Sequence, residues 1–482
     1  MSDIKKLASQ TAIYGIPTIV GRFLNYFLVF LHTYFLATDS YGIVGSLYAY
    51  VSFLMIVLTY GMETAFFRFS QTAKDKNIVY NTALLSLITT SCAFLVITFC
   101  FLSPITNVMN GEANMFYEKK YIAIFLIIIA FDALRAIPYA KLRVEQKAKR
   151  FALIKSIDIF SNIAFNLLFF FVIKPQDLVM AIFLSNCFAS AISFFLLMPE
   201  YCQFRFRFSF ALWKRMIAYG LPIMIGGLAG MINETFDRIA LQHLITVPKG
   251  VADSSKYILS QIGVYSACYK LSIVMTLFIQ AFKFAAEPFF FSKMKDKDAK
   301  SVYVRIMTAY TLFLIVIFLG VIAYLDVFKL FLREEYHQGM KVVPLLLIAN
   351  LCLGVYYNLS VWYKVSDKTI YGAYISFIGA IITLVLNYLL VPILGYIGAA
   401  WTTLACYFTI MVVCYLFGQK FYPIAYPIKR LAAYLLLAIG LYFVMAYLPI
   451  TDLAWRLVAN TIILFAFVGL VFKLDIYKLI KQ

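Results

Sequence analysis

Fourteen apolar runs of about twenty residues, set apart by short polar breaks, constrain this chain more than any other feature. An α-helix needs a run of that length to cross about 30 Å of hydrocarbon, where every backbone polar group has to be satisfied inside its own segment. Helices are expected near 11–36, 41–67, 79–101, 120–140, 151–173, 178–198, 216–245, 258–291, 302–325, 342–363, 369–391, 395–417, 430–449 and 453–472. The expected fold class is therefore an all-α polytopic membrane protein. With 63% of its residues hydrophobic and 13% charged, the chain lies outside the range of soluble domains. Lys5 and Lys6 precede a first run that is long, polar in places and without a small-residue cleavage site, so the first helix is expected to stay in the mature protein.

Charge tests the helix count independently. If the N-terminus lies inside, 28 of the 42 lysines and arginines fall in the breaks on that side and nine on the other. A miscounted helix would scramble that bias, so both termini are expected in the cytoplasm. The net charge of +19 is then a topology signal rather than a sign of nucleic acid, which is not expected as a partner. Seven of the eight cysteines sit inside apolar runs with no C-x-x-C spacing, and His32, His243 and His337 are scattered, so neither a disulfide frame nor a metal site is expected.

The chain also repeats itself. Tyr14, Gly15, Pro17 and Gly21 recur as Tyr219, Gly220, Pro222 and Gly226, at an offset of 205. Further on, Gly42, Tyr48 and Asn166 recur as Gly263, Tyr269 and Asn387, at an offset of 221. The change of offset falls where the first break, Ala37–Ser40, is matched by a longer one near Thr246–Tyr257. Two six-helix lobes, 1–205 and 206–418, and an extra helix pair, 419–482, account for all fourteen runs. Because an even number of helices separates the copies, they enter the membrane in the same direction. Pro17 and Pro222 each remove one backbone hydrogen bond from a spanning helix and are candidate hinges. Matched broken helices in two repeats mark a secondary transporter whose site lies between the repeats.

The run Tyr14-Gly-x-Pro-x-x-x-Gly-Arg22-x-x-Asn25 resembles bacterial polysaccharide-biosynthesis flippases, the Wzx-type members of the multidrug/oligosaccharidyl-lipid/polysaccharide (MOP) exporter superfamily. So do the stretches Tyr60-Gly-Met-Glu-Thr-Ala-Phe-Phe-Arg-Phe69 and Gln280-Ala-Phe-Lys-Phe-Ala-Ala-Glu-Pro-Phe-Phe-Phe291. The resemblance covers nearly the whole chain. It implies a 6+6+2 arrangement (MOP/MATE-like), a location in the bacterial inner membrane, and a basic central cavity. It also implies export of a polyprenyl-pyrophosphate-linked oligosaccharide for surface polysaccharide, such as the O-antigen of lipopolysaccharide. A polysaccharide polymerase and glycosyltransferases are the implied partners besides membrane lipids.

Charges inside the apolar runs are the candidate site. Arg22 lies about 16 Å into its helix, near the bilayer midplane, where an ionised group has to face water or a partner. A guanidinium there suits a pyrophosphate, which it can grip through two parallel hydrogen bonds, and Asn25 shares its helix face. Lys270 reaches a similar depth from the other lobe. Arg135 is a further candidate, although Asp132 three residues earlier offers pairing near the cytoplasmic face. Glu234, Asp237 and Arg238 are candidates for coupling to Na⁺ or H⁺, against an intrahelical Glu234–Arg238 pair. Glu63 and Glu287 are expected to anchor helix ends or brace an inner gate with Arg68 and Lys283. The basic run Lys141–Lys155 suits anionic headgroups or the substrate's pyrophosphate. Tyr14, Tyr26, Tyr48 and Tyr269 are candidates to stack on sugar rings.

A multidrug antiporter of the same superfamily is the nearest alternative, but its cationic drugs call for deep carboxylates, whereas the deepest charges here are positive. A membrane glycosyltransferase or polymerase needs acidic residues in sizeable outer loops. The longest candidate, Leu102–Tyr121, suggests none. The expectation is a transporter with no cofactor, and not an enzyme.

Overall fold

The computed structural model describes residues 21, 23, 24, 27–111, 117–293, 296, 298–366 and 368–476, with no side chain described at 284, 285, 287, 288 and 291–293. Among them every regular element is helical. Among the described residues thirteen helices are long and apolar enough to span a membrane, and the helical stretch 27–35, α1, lies within the first expected run. The expected fold class holds.

The chain divides into two compact units, one reaching Ser266 and taking in Val391–Tyr396, the other running from Ala267 to Leu390 and from Ile397 onward. In the first unit α1 turns directly into α2 (Thr38–Thr59) and then α3 (Met62–Thr72). One span is broken at Tyr60 and Gly61, whose φ values of 33° and 70° lie in the left-handed region. There follow α4 (Lys76–Cys100), α5 (Leu102–Asn110), α6 (Lys119–Val144), α7 (Ala148–Leu167, continuing as a π-helical turn to Ile173), α8 (Leu178–Leu196), α9 (Met198–Tyr201) and α10 (Phe210–Leu244). The supposed loop Leu102–Tyr121 thus begins as helix. α11 (Ser254–Lys293) runs from the first unit into the second.

The second unit continues with α12 (Ala299–Ala323), α13 (Leu325–Leu330), α14 (Glu334–His337), α15 (Val343–Leu359), α16 (Val361–Val365), α17 (Ile370–Leu394), α18 (Tyr396–Phe421), α19 (Ile428–Ala446) and α20 (Leu453–Val471). Helix starts follow local chemistry. Asp75, Asp177, Ser209 and Asp452 each accept a backbone N–H of the first turn of α4, α8, α10 and α20, satisfying one of the donors that a helix N-terminus leaves open.

Burial sorts the helices. In the first unit α6 is mostly enclosed, packed by α2, α4 and α8, while α7 turns Phe160, Phe171 and Val172 outward. In the second unit α12 and α15 form the enclosed centre, and α17, α19 and α20 expose rows of Leu, Ile and Phe as a hydrocarbon-facing surface does. The repeat survives in detail: Asn166 and Asn387 are both buried, and each donates its Nδ2 to the carbonyl four residues earlier at 2.8 Å.

Candidate transport site and gates

Within the first unit, α2 lies against both α10 and the start of α11. At the end where α1 turns into α2, the crossing with α11 brings backbone to backbone. A Cβ built on Gly42 would stand 1.9 Å from the Leu259 carbonyl oxygen, and one on Gly263 would stand 1.8 Å from that of Thr38. Beside them, the Oγ atoms of Thr38 and Ser260 are 2.7 Å apart. A Cβ on Gly45 would stand 2.4 Å from Ser266 Oγ. Close approach through small residues is how helices associate where no water drives them together. Nearby, Tyr117 and Tyr50 each donate to Gln242 Oε1 of α10 at 3.2 Å, Gln242 Nε2 donates to the Met109 carbonyl, and the Tyr117 and Ser46 hydroxyls lie 2.6 Å apart. Reading the sequence missed Tyr117 and Gln242, whose only signal was a polar amide at the end of an apolar run.

α2 and α10 run antiparallel, so the other end of α10 meets the α2–α3 break, beside the basic C-terminus of α6. A Cβ on Gly61 would lie 2.4 Å from the Gly220 carbonyl oxygen, and one on Gly220 would lie 2.6 Å from that of Tyr60. Arg68 stacks on Tyr219 at 4.2 Å, and Phe69 meets the same ring edge-on. The repeated Tyr-Gly of α10 is thus a helix contact. Glu63 accepts from Arg143 of α6 at 2.8 Å rather than pairing with Arg68, and Lys283 stacks on Tyr357 at 4.8 Å in the second unit. The reason is direction: Arg143 ends α6 beside the first turn of α3, while Arg68 is drawn to the Tyr219 face. Across the basic run most cations meet carboxylates, Lys147 on Glu145 at 2.7 Å, Arg150 on Glu200 at 3.0 Å and Lys155 on Asp158 at 3.7 Å. Lys141 bonds Gln203. Little of the expected positive surface is left there.

Arg135 does not reach outward. It is 6% exposed and held between two carboxylates, Asp132 on its own helix and Asp158 of α7 at 2.9 Å. Ser190 of α8 receives its second nitrogen and donates to Asp132, and Ser193 donates to Asp158. Four formal charges, counting Lys155, cancel across α6 and α7. The equivalent positions of the second unit, 221 residues on, are uncharged: Tyr356 stands for Arg135 and Ser376 for Lys155. There Tyr356 and Tyr363 hydroxyls sit 3.4 Å apart.

On α10 the spacing favoured a Glu234–Arg238 pair. Arg238 instead bonds Asp237 at 2.9 Å and takes only the backbone carbonyl of Glu234. Burial decides between them, because Asp237 is 4% exposed and also accepts from Tyr265, whereas Glu234 is exposed. Pro222 sits inside an unbroken α10. Tyr48 receives Asn186 at 2.7 Å and packs edge-on against Phe125. In the second unit Lys270 is half-buried and Tyr269 buried on α11. Arg22, Asn25, Pro17, Tyr14, Tyr26 and the Glu287 side chain lie outside the described residues.

The second unit holds a cavity of about 600 Å³ walled by α12, α15, α18 and α19. Met307, Ile348, Trp401, Phe408, Met411 and Leu435 are among its apolar lining.

The polysaccharide biosynthesis protein family profile matches residues 7–294. No curated protein matches the sequence. Among solved structures the chain is similar to the lipid II flippase MurJ in an inward closed conformation, with a TM-score of 0.76 at 16% identity over 95% of this chain and 98% of that one. It is also similar to a multidrug resistance MATE family transporter of the MOP superfamily in an inward-facing conformation, with a TM-score of 0.62 at 13% identity over 88% and 95%. A mutant form of the Vibrio cholerae MATE transporter VcmN follows at 0.56 and 11% identity over 87% and 98%. With the profile covering more than half its length and the thirteen described spans folded like these transporters, the chain belongs to the polysaccharide biosynthesis protein family.

Proposed function

We propose that this protein moves a polyprenyl-pyrophosphate-linked oligosaccharide from the inner to the outer leaflet of a bacterial inner membrane, by alternating access, for surface polysaccharide assembly. The observation that carries the reading is the apolar cavity of about 600 Å³ in the second unit, open between spanning helices and nearly free of polar groups. It suits several isoprene units of a lipid tail, and its lining holds no carboxylate to pair with a cationic drug. Arg22, Asn25 and Lys270 are assigned to the pyrophosphate, since a cation near the midplane is tolerated only beside water or an anion. In this reading the lobes 1–205 and 206–418 rock with both termini cytoplasmic, Pro17 and Pro222 let their helices bend, and Na⁺ or H⁺ bound at Asp237 drives the cycle. A polymerase and glycosyltransferases act on either side of the step.

Replacing Arg22 by Ala should abolish surface polysaccharide while leaving the protein in the membrane. Normal polysaccharide from that variant would remove the cation from the mechanism. Drug resistance conferred on a pump-deleted host would favour an antiporter instead.

A further inference from the structure

The segment joining α9 to α10 carries a pattern that the transport reading does not use. From Phe204 to Phe210 aromatic residues alternate with Arg205, Arg207 and Ser209. The backbone is held in place rather than free: the amide of Arg205 donates to Asn81 Oδ1 at 3.1 Å and that of Ser209 to Thr82 Oγ1 at 3.3 Å, both on buried side chains near the start of α4. Pinned in this way, the segment leaves Phe206 88%, Phe210 67% and Phe208 44% exposed. Arg205 and Arg207 are exposed too, and neither meets a carboxylate among the described residues. Glu200, just before the strap on α9, is taken by Arg150 at 3.0 Å.

We infer that this strap is a binding site for anionic phospholipid headgroups on the membrane face at the basic end of the first unit. The Arg207 amide donates to the Arg205 carbonyl at 2.6 Å, closing a tight turn that sets the exposed Phe206 ring at its tip with an exposed arginine on either side. Rings of that kind lodge at the headgroup level and in the upper acyl region, while a guanidinium grips a phosphate through paired hydrogen bonds. Charge chooses the occupant: two exposed arginines that meet no carboxylate among the described residues attract a negatively charged surface, and exposed rings beside them need hydrocarbon rather than water. Because the strap leads straight into α10, lipid held there anchors the first residues of that helix, immediately before the Tyr219 and Gly220 contacts with α3.

Trp213 reports on the site, since its ring stacks on Phe210 at 5.5 Å and its Nε1 donates to Ser86 at 2.8 Å. The full chain is placed in nanodiscs of phosphatidylcholine carrying a fixed fraction of brominated phosphatidylglycerol or of brominated phosphatidylcholine. The quenching due to Trp213 is read as the difference from Trp213→Phe. Quenching by the anionic lipid is expected to exceed that by the zwitterionic one by at least about two-fold. The double variant Arg205→Gln/Arg207→Gln should bring the ratio to one, and Phe206→Ser/Phe208→Ser should weaken quenching by both lipids. Lys119→Gln, at the opposite end of the unit, should leave the ratio unchanged. Equal quenching by the two lipids in the wild type, or a preference that survives loss of both arginines, overturns the proposal. So does a Trp213 that neither lipid reaches, as when a second copy of the chain covers the strap.

Discussion

Gly42 and Gly263, 221 residues apart, occupy each other's helix crossing in the same way: each would drive a Cβ into the carbonyl oxygen of the residue four before its partner, Leu259 and Thr38 respectively. Positions related by the repeat therefore meet, and the contact is close because neither has a side chain. Movement that separates α2 from α11 breaks mostly weak backbone contacts and the Thr38–Ser260 hydrogen bond, an inexpensive change for a gate. Replacing Thr38 and Ser260 together by Cys should form a disulfide on oxidation that stops surface polysaccharide export and is reversed by reductant. Export that continues with the disulfide formed would show that this crossing does not open.

The contact at the opposite end of α10 makes a stricter demand. Gly61 has φ 70° as well as the Gly220 carbonyl 2.4 Å from where a Cβ would stand. Gly61→Ala is expected to destabilise by about 1–2 kcal/mol from the left-handed backbone alone, with more from the clash. Tyr219→Leu keeps an apolar side chain but loses the Arg68 stack, a change of about 0.5–1 kcal/mol at a partly exposed site. Thermal unfolding in detergent ranks the two. A Gly61→Ala protein as stable as the wild type would mean that the α2–α3 break is adaptable.

Arg135 distinguishes a structural cation from a substrate contact. Removing it leaves Asp132 with no cation and Asp158 with only Lys155 at 3.7 Å, so Arg135→Ala should cost about 3–5 kcal/mol and lower the amount of folded protein. Adding Asp158→Asn to that variant should recover part of the loss, because one fewer carboxylate is left without its guanidinium. A folded, abundant Arg135→Ala protein that has lost only transport would instead place this guanidinium on the substrate.

Much of the fold was legible because the bilayer simplifies the code. Apolar run length alone set helix bounds to within a few residues, as with 178–198 against Leu178–Leu196 and 453–472 against Leu453–Val471. The repeat offsets also told which residues correspond, and Asn166 and Asn387 share the Nδ2 bond to the carbonyl four residues earlier. Partners were less legible. Spacing along one helix suggested Glu234 for Arg238, yet the choice of Asp237 depends on burial by Tyr265 of another helix. Asp158 lies 23 residues from Arg135, beyond any local rule. The basic run Lys141–Lys155 looked like open positive surface because Glu63 and Glu200, which neutralise Arg143 and Arg150, are distant in sequence.

Asp177 offers a test that depends on pH. It caps α8 through the Met180 amide at 2.9 Å, and its other oxygen accepts Lys120 at 2.6 Å and Tyr121 at 3.0 Å. Partial burial alone would raise its pKa, but the Lys120 ammonium, the Met180 N–H and the Tyr121 hydroxyl outweigh burial and hold the carboxyl below its ordinary value. A carboxylate depressed by folding adds stability that is fully present above its unfolded pKa and is lost as pH falls through the folded one. Asp177→Ala should therefore cost about 1 kcal/mol at neutral pH, mainly as a lost cap. The gap between wild type and variant should narrow as the pH drops below the usual carboxylate range. Unfolding midpoints measured from pH 7 down to the acid limit of solubility decide it: a gap that stays constant would mean that Asp177 acts through shape and not through charge.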